Sequence, residues 1–132
     1  MDLLAFGKSV LESQPFSLLL GCTLNSFEPG NAQLELVIED KHRQQHGFVH
    51  GGVVSYLADN ALTFAGGSIL GDSVTSEFKI NYTRPAVGEK LIAEASVVAA
   101  GKRQAVCDCK VYAVEAEAKK LVAVAQGTIV KA

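Results

Sequence analysis

Between Val53 and Ala65 the chain carries Val53, Val54, Leu57, Ala58, Ala61, Leu62 and Ala65, and few polar side chains interrupt them. Those that do are Ser55, Asp59 and Thr63, with Tyr56 and Asn60 beside them. A spacing of four residues places Ser55, Asp59 and Thr63 on one stripe of a helix. A helix that is apolar over most of its circumference has to be buried. This one is too short and too interrupted to span a bilayer, which takes roughly 20 apolar residues. The remainder of the chain must therefore wrap around it. Asp59 is the only acid on that helix, and a buried carboxylate is costly unless it is paired. Two roles are open to it: a structural partner for a neighbouring strand, or a general base or nucleophile facing a cleft.

The helix opens from His46-Gly47-Phe48-Val49-His50-Gly51-Gly52. The first N–H groups of a helix have no intrahelical acceptor and carry partial positive charge. Glycine lets a substrate approach that backbone closely. Such a terminus can stabilise the oxyanion of acyl transfer. An oxyanion site at Gly51 and an acid two turns later are two parts that ester or thioester hydrolysis needs.

Strand patterns fill most of what remains. Leu3, Leu4, Phe6, Val10 and Leu11 predict a short amphipathic helix over residues 3–13, ended by Pro15, and Phe16–Leu20 adds a further turn. Cys22–Glu28 and Asn31–Glu39 read as strands around Pro29-Gly30. Asp40–Val49 is a polar loop. The buried helix is expected to stop near Gly66-Gly67. Ser73–Tyr82 alternates Val74, Ser76, Phe78, Ile80 and Tyr82 on one face against Thr75, Glu77, Lys79 and Asn81. Lys90–Ala100, Gln104–Ala116 and Leu121–Val130 complete the strands, with joints at 101–103 and 116–120. Ala93, Ala95, Ala99, Ala123 and Ala125 are small inward positions that leave room for a helix. The class is α+β, one domain over 1–132 with a helical lid over 1–20 and a core over 21–132.

The pattern Gln44-x-x-Gly47-x-x-His50-Gly51-Gly52, with an acid nine residues after the histidine, resembles the hotdog-fold acyl-CoA thioesterases, in the branch that includes phenylacetyl-CoA thioesterases. Asn81-Tyr82-Thr83-Arg84-Pro85-Ala86 and Gly88-Glu89 continue the likeness. The resemblance implies an antiparallel sheet wrapped around one long buried helix. It implies that Gly51 polarises the thioester carbonyl and that Gln44 orients the carbonyl or the attacking water. Asp59 would be base or nucleophile, and Thr75 would hold the water, unless it is only a β-branched strand residue. His50 would shape the loop, and Gly52 would line the substrate. Arg84, Lys102 and Arg103 are either solvated turn residues or contacts for coenzyme A phosphates. The resemblance also implies a homo-oligomer, dimer or tetramer, with each active site built across the dimer interface. No cofactor is implied.

Composition narrows the field further. A net charge of −2 gives no basic field for nucleic acid. Met1-Asp2-Leu3-Leu4 lacks a basic n-region, so neither a signal peptide nor a membrane anchor is expected. Cys22, Cys107 and Cys109 are an odd count, and the last two alternate onto one strand face as small core residues. Cys-x-Cys without two further ligands is a poor zinc site, and free thiols fit a cytoplasmic protein. His42, His46 and His50 are spaced by four. They would converge on a metal only in a helix, which Gly47, Gly51 and Gly52 oppose; no metal is expected. Hydrolysis of an acyl-CoA is the leading activity. A hotdog hydratase or dehydratase, and a non-catalytic acyl-CoA-binding protein, are the alternatives.

Overall fold

A computed structural model of the chain describes residues 2–132. Helix α1 (Leu3–Glu12) starts at Asp2, whose carboxylate accepts the Ala5 N–H at 3.1 Å. Helix α2 (Pro15–Leu20) has proline in its first turn and ends on Gly21 at φ 87°, a left-handed conformation that glycine adopts without penalty. Strands β1 (Cys22–Glu28) and β2 (Asn31–Val37) form a hairpin. A single 3-10 turn, Asp40–His42, precedes helix α3 (Gly51–Leu70). Strands β3 (Ser73–Tyr82), β4 (Lys90–Ala100), β5 (Gln104–Glu115) and β6 (Ala118–Lys131) follow. All six strands join one antiparallel sheet in the order β1-β2-β4-β5-β6-β3. The sheet wraps α3, and β1 and β3 are its edges.

The core is the seam between them. Leu57, Ala58, Ala61, Leu62 and Ala65 of α3 are fully buried, as are Leu34 and Leu36 of β2, Leu91 of β4, Val111 of β5 and Ile129 of β6. Alanines on α3 let the helix axis lie close to the sheet while leucines fill the gaps between strands. Truncating one of those leucines to alanine would cost about 2–5 kcal/mol. Cys107 and Cys109 point into the same core as free thiols.

The helix does not stop at Gly66-Gly67; it runs to Leu70 and ends at Gly71, φ 86°. Gly66 is a packing notch instead of a terminator. A Cβ there would lie 2.7 Å from Ile129 Cβ, so glycine is what allows α3 and β6 to touch. The alternation expected in β3 also fails. The register with β6 shifts between Thr75 and Glu77, a bulge that adds a residue and reverses the side-chain phase. Thr75 thus shares the helix-facing side with Phe78 and Ile80, while Val74, Ser76 and Tyr82 are exposed. Gly127 makes room for this, since a Cβ there would meet Glu77 O and Phe78 Cβ at 2.6 Å. A second bulge between Val97 and Ala99 turns Ala99 outward.

Strand boundaries move as well. β2 ends at Val37. The β5–β6 joint is only Ala116-Glu117, both at positive φ, so β6 starts at Ala118. Ala118, Lys119 and Lys120 are all exposed at this end of the strand, where Lys119 binds Glu94 at 2.9 Å and sits over the Tyr112 ring. Hydrophobic patterning cannot detect a strand segment of that kind.

In an ordinary helix interior, Gly→Ala stabilises by about 1 kcal/mol. Gly66→Ala is expected to do the opposite, losing about 1–3 kcal/mol through overpacking against Ile129. Urea unfolding of the two proteins measures this, and a stabilised variant would show that α3 can shift off β6 freely.

Candidate functional site

Residues 43–50 form a small hairpin ahead of α3. Arg43 and Val49 make an isolated antiparallel bridge, and Gln44 N–H donates to Phe48 C=O at 2.9 Å. Gly47 takes its tip at φ 86°. Val49 N–H ties the hairpin to Ala86 C=O, and His50 N–H closes its base on His42 C=O at 2.8 Å. His50 then caps the helix. Its Nδ1 accepts the Gly52 N–H at 2.8 Å and its carbonyl accepts the Val53 and Val54 N–H groups. Accepting at Nδ1 leaves the neutral ring its proton on Nε2. The Gly52 N–H is therefore occupied. Among the described residues, the Gly51 N–H has no acceptor.

The Gly51 carbonyl accepts the Tyr82 hydroxyl at 3.0 Å. Together with Gln44, Val54, Arg84 and Ala86 these residues line a cleft of about 470 Å³. Gln44 turns its Oε1 back onto the His46 N–H, which leaves its NH₂ facing outward as the group able to donate. Arg84 is exposed at this cleft.

Asp59 is half-buried on α3, two turns further on. Its Oδ1 accepts the Thr75 hydroxyl at 2.6 Å. Thr75 Oγ1 lies 2.8 Å from Thr63 Oγ1, and Thr63 donates to Asp59 C=O at 2.9 Å. The Thr75 proton is thus committed to Asp59, so toward a water Thr75 can only accept. Among the described residues, nothing donates to Asp59 Oδ2. That oxygen is oriented but free, which is what proton abstraction or nucleophilic attack requires. The β3 bulge is what brings Thr75 there. Ser55, half-buried one turn earlier on the same stripe, takes no part.

Beside this pair, Asn60 and Thr63 line a cavity of about 340 Å³ whose other walls include Leu3, Phe6 and Val10 of α1 with Phe27 and Phe64. The two last rings meet edge to face at 5.4 Å. Among the described residues, no Lys, Arg or His lines it, and Asp72 is part of its wall. α2 is fastened over α3 by a compact polar cluster. Tyr56 donates to Ser17 at 2.6 Å, Ser17 donates to Gln14 at 2.6 Å, and Asn60 reaches Gln14 and Ser17. Burial pushes the Tyr56 phenol well above the usual range, the Ser17 contact opposing. Burial also pushes the Cys22 thiol up to about 11, against the opposing effect of its hydrogen bond with Tyr56. Cys107 rises to about 11 and Cys109 to about 12, in both by burial and then by nearby Asp108.

Sequence reasoning missed Tyr82 as a partner of Gly51, and it missed α2 as the partner of Tyr56 and Asn60. The i, i+4 pair Tyr56/Asn60 was visible beside the polar stripe, but not the segment that meets it. Lys102 and Arg103 lie in the β4–β5 turn against Val130 and Lys131, in a cleft that shares no residue with the one holding Gly51 and Arg84. The three histidines have separate partners. His42 is buried and bonded through both ring nitrogens, His46 lies near Phe48, and His50 caps α3.

A helix wrapped in one antiparallel sheet, with a free N-terminal amide and an oriented carboxylate on it, is the framework of a hotdog thioester hydrolase. Residues 46–118 match the model of the thioesterase superfamily. Human acyl-coenzyme A thioesterase 13 is 32% identical over 102 residues, 72% of this chain and 71% of that protein. A thioesterase family protein from Silicibacter pomeroyi has TM-score 0.89 and 30% identity over 92% of each chain. The E. coli PaaI protein of the phenylacetic acid degradation operon has TM-score 0.86 and 26% identity over 99% of this chain and 96% of its own. The chain belongs to the thioesterase superfamily and is a thioester hydrolase. None of its helices is long and apolar enough to cross a membrane, among the described residues.

The raised thiols give a pH dependence of known sign. They ionise more easily in the unfolded chain, which then binds fewer protons than the native one. Stability is expected to be intact below about pH 9 and to fall as pH rises toward 11 and 12. Thermal melts across that range measure it. In the native protein at neutral pH, all three cysteines should alkylate slowly; rapid modification of Cys107 or Cys109 would contradict their burial.

Proposed function

We propose that the protein hydrolyses acyl-CoA thioesters whose acyl part is apolar and uncharged, acting as a homodimer or a tetramer of dimers with each site shared between two chains. The observation that carries this is the pair of unspent groups on α3, the Gly51 N–H and Asp59 Oδ2. They are eight residues apart, about 12 Å at 1.5 Å per residue. That is too far to serve one carbonyl. A two-fold dimer pairs each Gly51 with the other chain's Asp59. The unpaired edge of β3 offers backbone groups for that association.

In this reading the thioester carbonyl accepts the Gly51 N–H, with the Gln44 NH₂ alongside. Asp59 either takes a proton from water as it attacks the carbonyl carbon, or attacks itself to give an anhydride that water then opens. The C–S bond breaks in both cases, and the thiolate leaves to be protonated. Thr75 fixes the carboxylate. The apolar cavity takes the acyl group, with α1 and α2 as its lid, and the whole chain acts as one domain. A cavity with no cationic side chain among the described residues of its wall, and with Asp72 in that wall, disfavours acyl groups ending in a carboxylate. Arg84 is the cation placed to meet coenzyme A phosphates from the Gly51 cleft. Lys102 and Arg103 can contribute only through another subunit. The name of the human relative supports coenzyme A as the carrier. A hydratase needs a histidine base, and His50 has its Nδ1 spent on Gly52.

Asp59→Asn is expected to lower kcat by about 10²–10⁴ in a folded protein; wild-type turnover would remove Asp59 from the chemistry. Gly51→Val should likewise lose about 3–4 kcal/mol of transition-state stabilisation. Mixing the two inactive proteins tests the shared site. With subunit exchange verified by mass spectrometry, half the dimers are mixed and about a quarter of sites carry neither lesion. Complete exchange with no recovered activity would place both groups within one subunit. Straight-chain and aryl acyl-CoAs should be cleaved, and dicarboxylic acyl-CoAs should not; equal turnover of both would assign the acyl group elsewhere.

A further inference from the structure

We infer that His42 is a positioning residue for the thioesterase site, holding the hairpin that carries Gln44 and the peptide that presents the Gly51 N–H. The inference rests on the proposed role of Gly51.

From Lys41 to His50 only His42 and Val49 are buried. The hairpin therefore has almost no core of its own, and its position must come from those two anchors. Val49 is held by its N–H on Ala86 C=O. His42 is completely buried and uses everything it has. Its Nδ1 accepts the Glu39 N–H at 2.9 Å, and its Nε2–H donates to Leu20 C=O at 2.8 Å. Accepting at one nitrogen and donating at the other requires the neutral Nε2–H form. Leu20 ends α2, so the imidazole occupies a carbonyl that the helix leaves without an internal partner. The His42 carbonyl accepts the His50 N–H at 2.8 Å. His50 in turn holds the Gly52, Val53 and Val54 N–H groups.

The imidazole thus joins the end of α2 to the turn after β2, and the backbone carbonyl of the same residue joins that turn to the start of α3. The direction of the Gly51 N–H is set by the His50–Gly51 peptide, and His42 fixes that peptide from behind. It touches no position available to substrate. Its effect on rate runs through alignment, and a displacement of about 1 Å at a catalytic group can cost 10²-fold.

Three variants separate positioning from simple packing. In His42→Gln the amide nitrogen reaches the place of Nε2 and keeps the Leu20 bond. In His42→Asn the amide oxygen reaches the place of Nδ1 and keeps only the Glu39 bond. His42→Leu keeps neither. Each is assayed well below its own melting temperature, with folding verified by circular dichroism. The expected result is kcat near wild type for His42→Gln, and losses of about tenfold to 10²-fold for His42→Asn and His42→Leu with KM changing far less. Amide exchange at His50 should quicken in the two slow variants. Wild-type kcat in folded His42→Leu would overturn the proposal, and where that variant does not fold, wild-type kcat in His42→Asn would do so. Gly51→Val run alongside tells which idea fails. If it is fully active, the Gly51 reading falls; if it is inactive while His42→Asn is fully active, only the positioning role of His42 falls.

Discussion

Everything in this structure follows from the need to cover α3. The helix is apolar on nearly every side, so it cannot stand at a surface, and the chain supplies a single sheet curved around it. That contact constrains the side chains on both partners. Alanines at Ala58, Ala61 and Ala65 and the notch at Gly66 bring the axis close, and leucines from helix and strands close the remaining space. A helix so tightly seated is a rigid base for chemistry. Its first amide and the Asp59 carboxylate both reach out of the core with a polar atom unspent.

The sheet contributes through an irregularity. With strict alternation, Thr75 would face solvent beside Glu77, away from Asp59. The extra residue at the β3 bulge turns Thr75 inward, and Gly127 on β6 gives it the space. One glycine and one added residue therefore set the orientation of a carboxylate on a different element. The N-terminal side works by hydrogen bonds instead. Tyr56, Asn60, Ser17 and Gln14 fasten α2 to α3, and His42 connects α2 to the hairpin before α3. Polar contacts of this kind are directional, so they fix the relative placement of segments that share little apolar surface.

The sequence by itself determined the parts that depend on neighbours along the chain. The apolar run at Val53–Ala65 required a buried helix, alternation marked the six strands, and His50-Gly51-Gly52 marked a helix start with an open amide. Asp59 stood out because no other acid lies on that helix. These features are periodic or local, and periodicity survives in a one-dimensional reading. The tertiary structure decided whatever depended on approach between distant segments. Gly66 read as a stop because a helical glycine signals an end unless Ile129, sixty-three residues later, is known to lie against it. By alternation Thr75 falls with Glu77, Lys79 and Asn81, because a bulge leaves no mark in that pattern; only the family resemblance placed it beside Asp59. Lys119 and Lys120 read as a loop because two exposed charges at the start of a strand look like a turn. Tyr82 beside Gly51, and His42 beneath His50, are contacts between segments that meet only once the sheet has closed around α3, and no spacing along the chain encodes them.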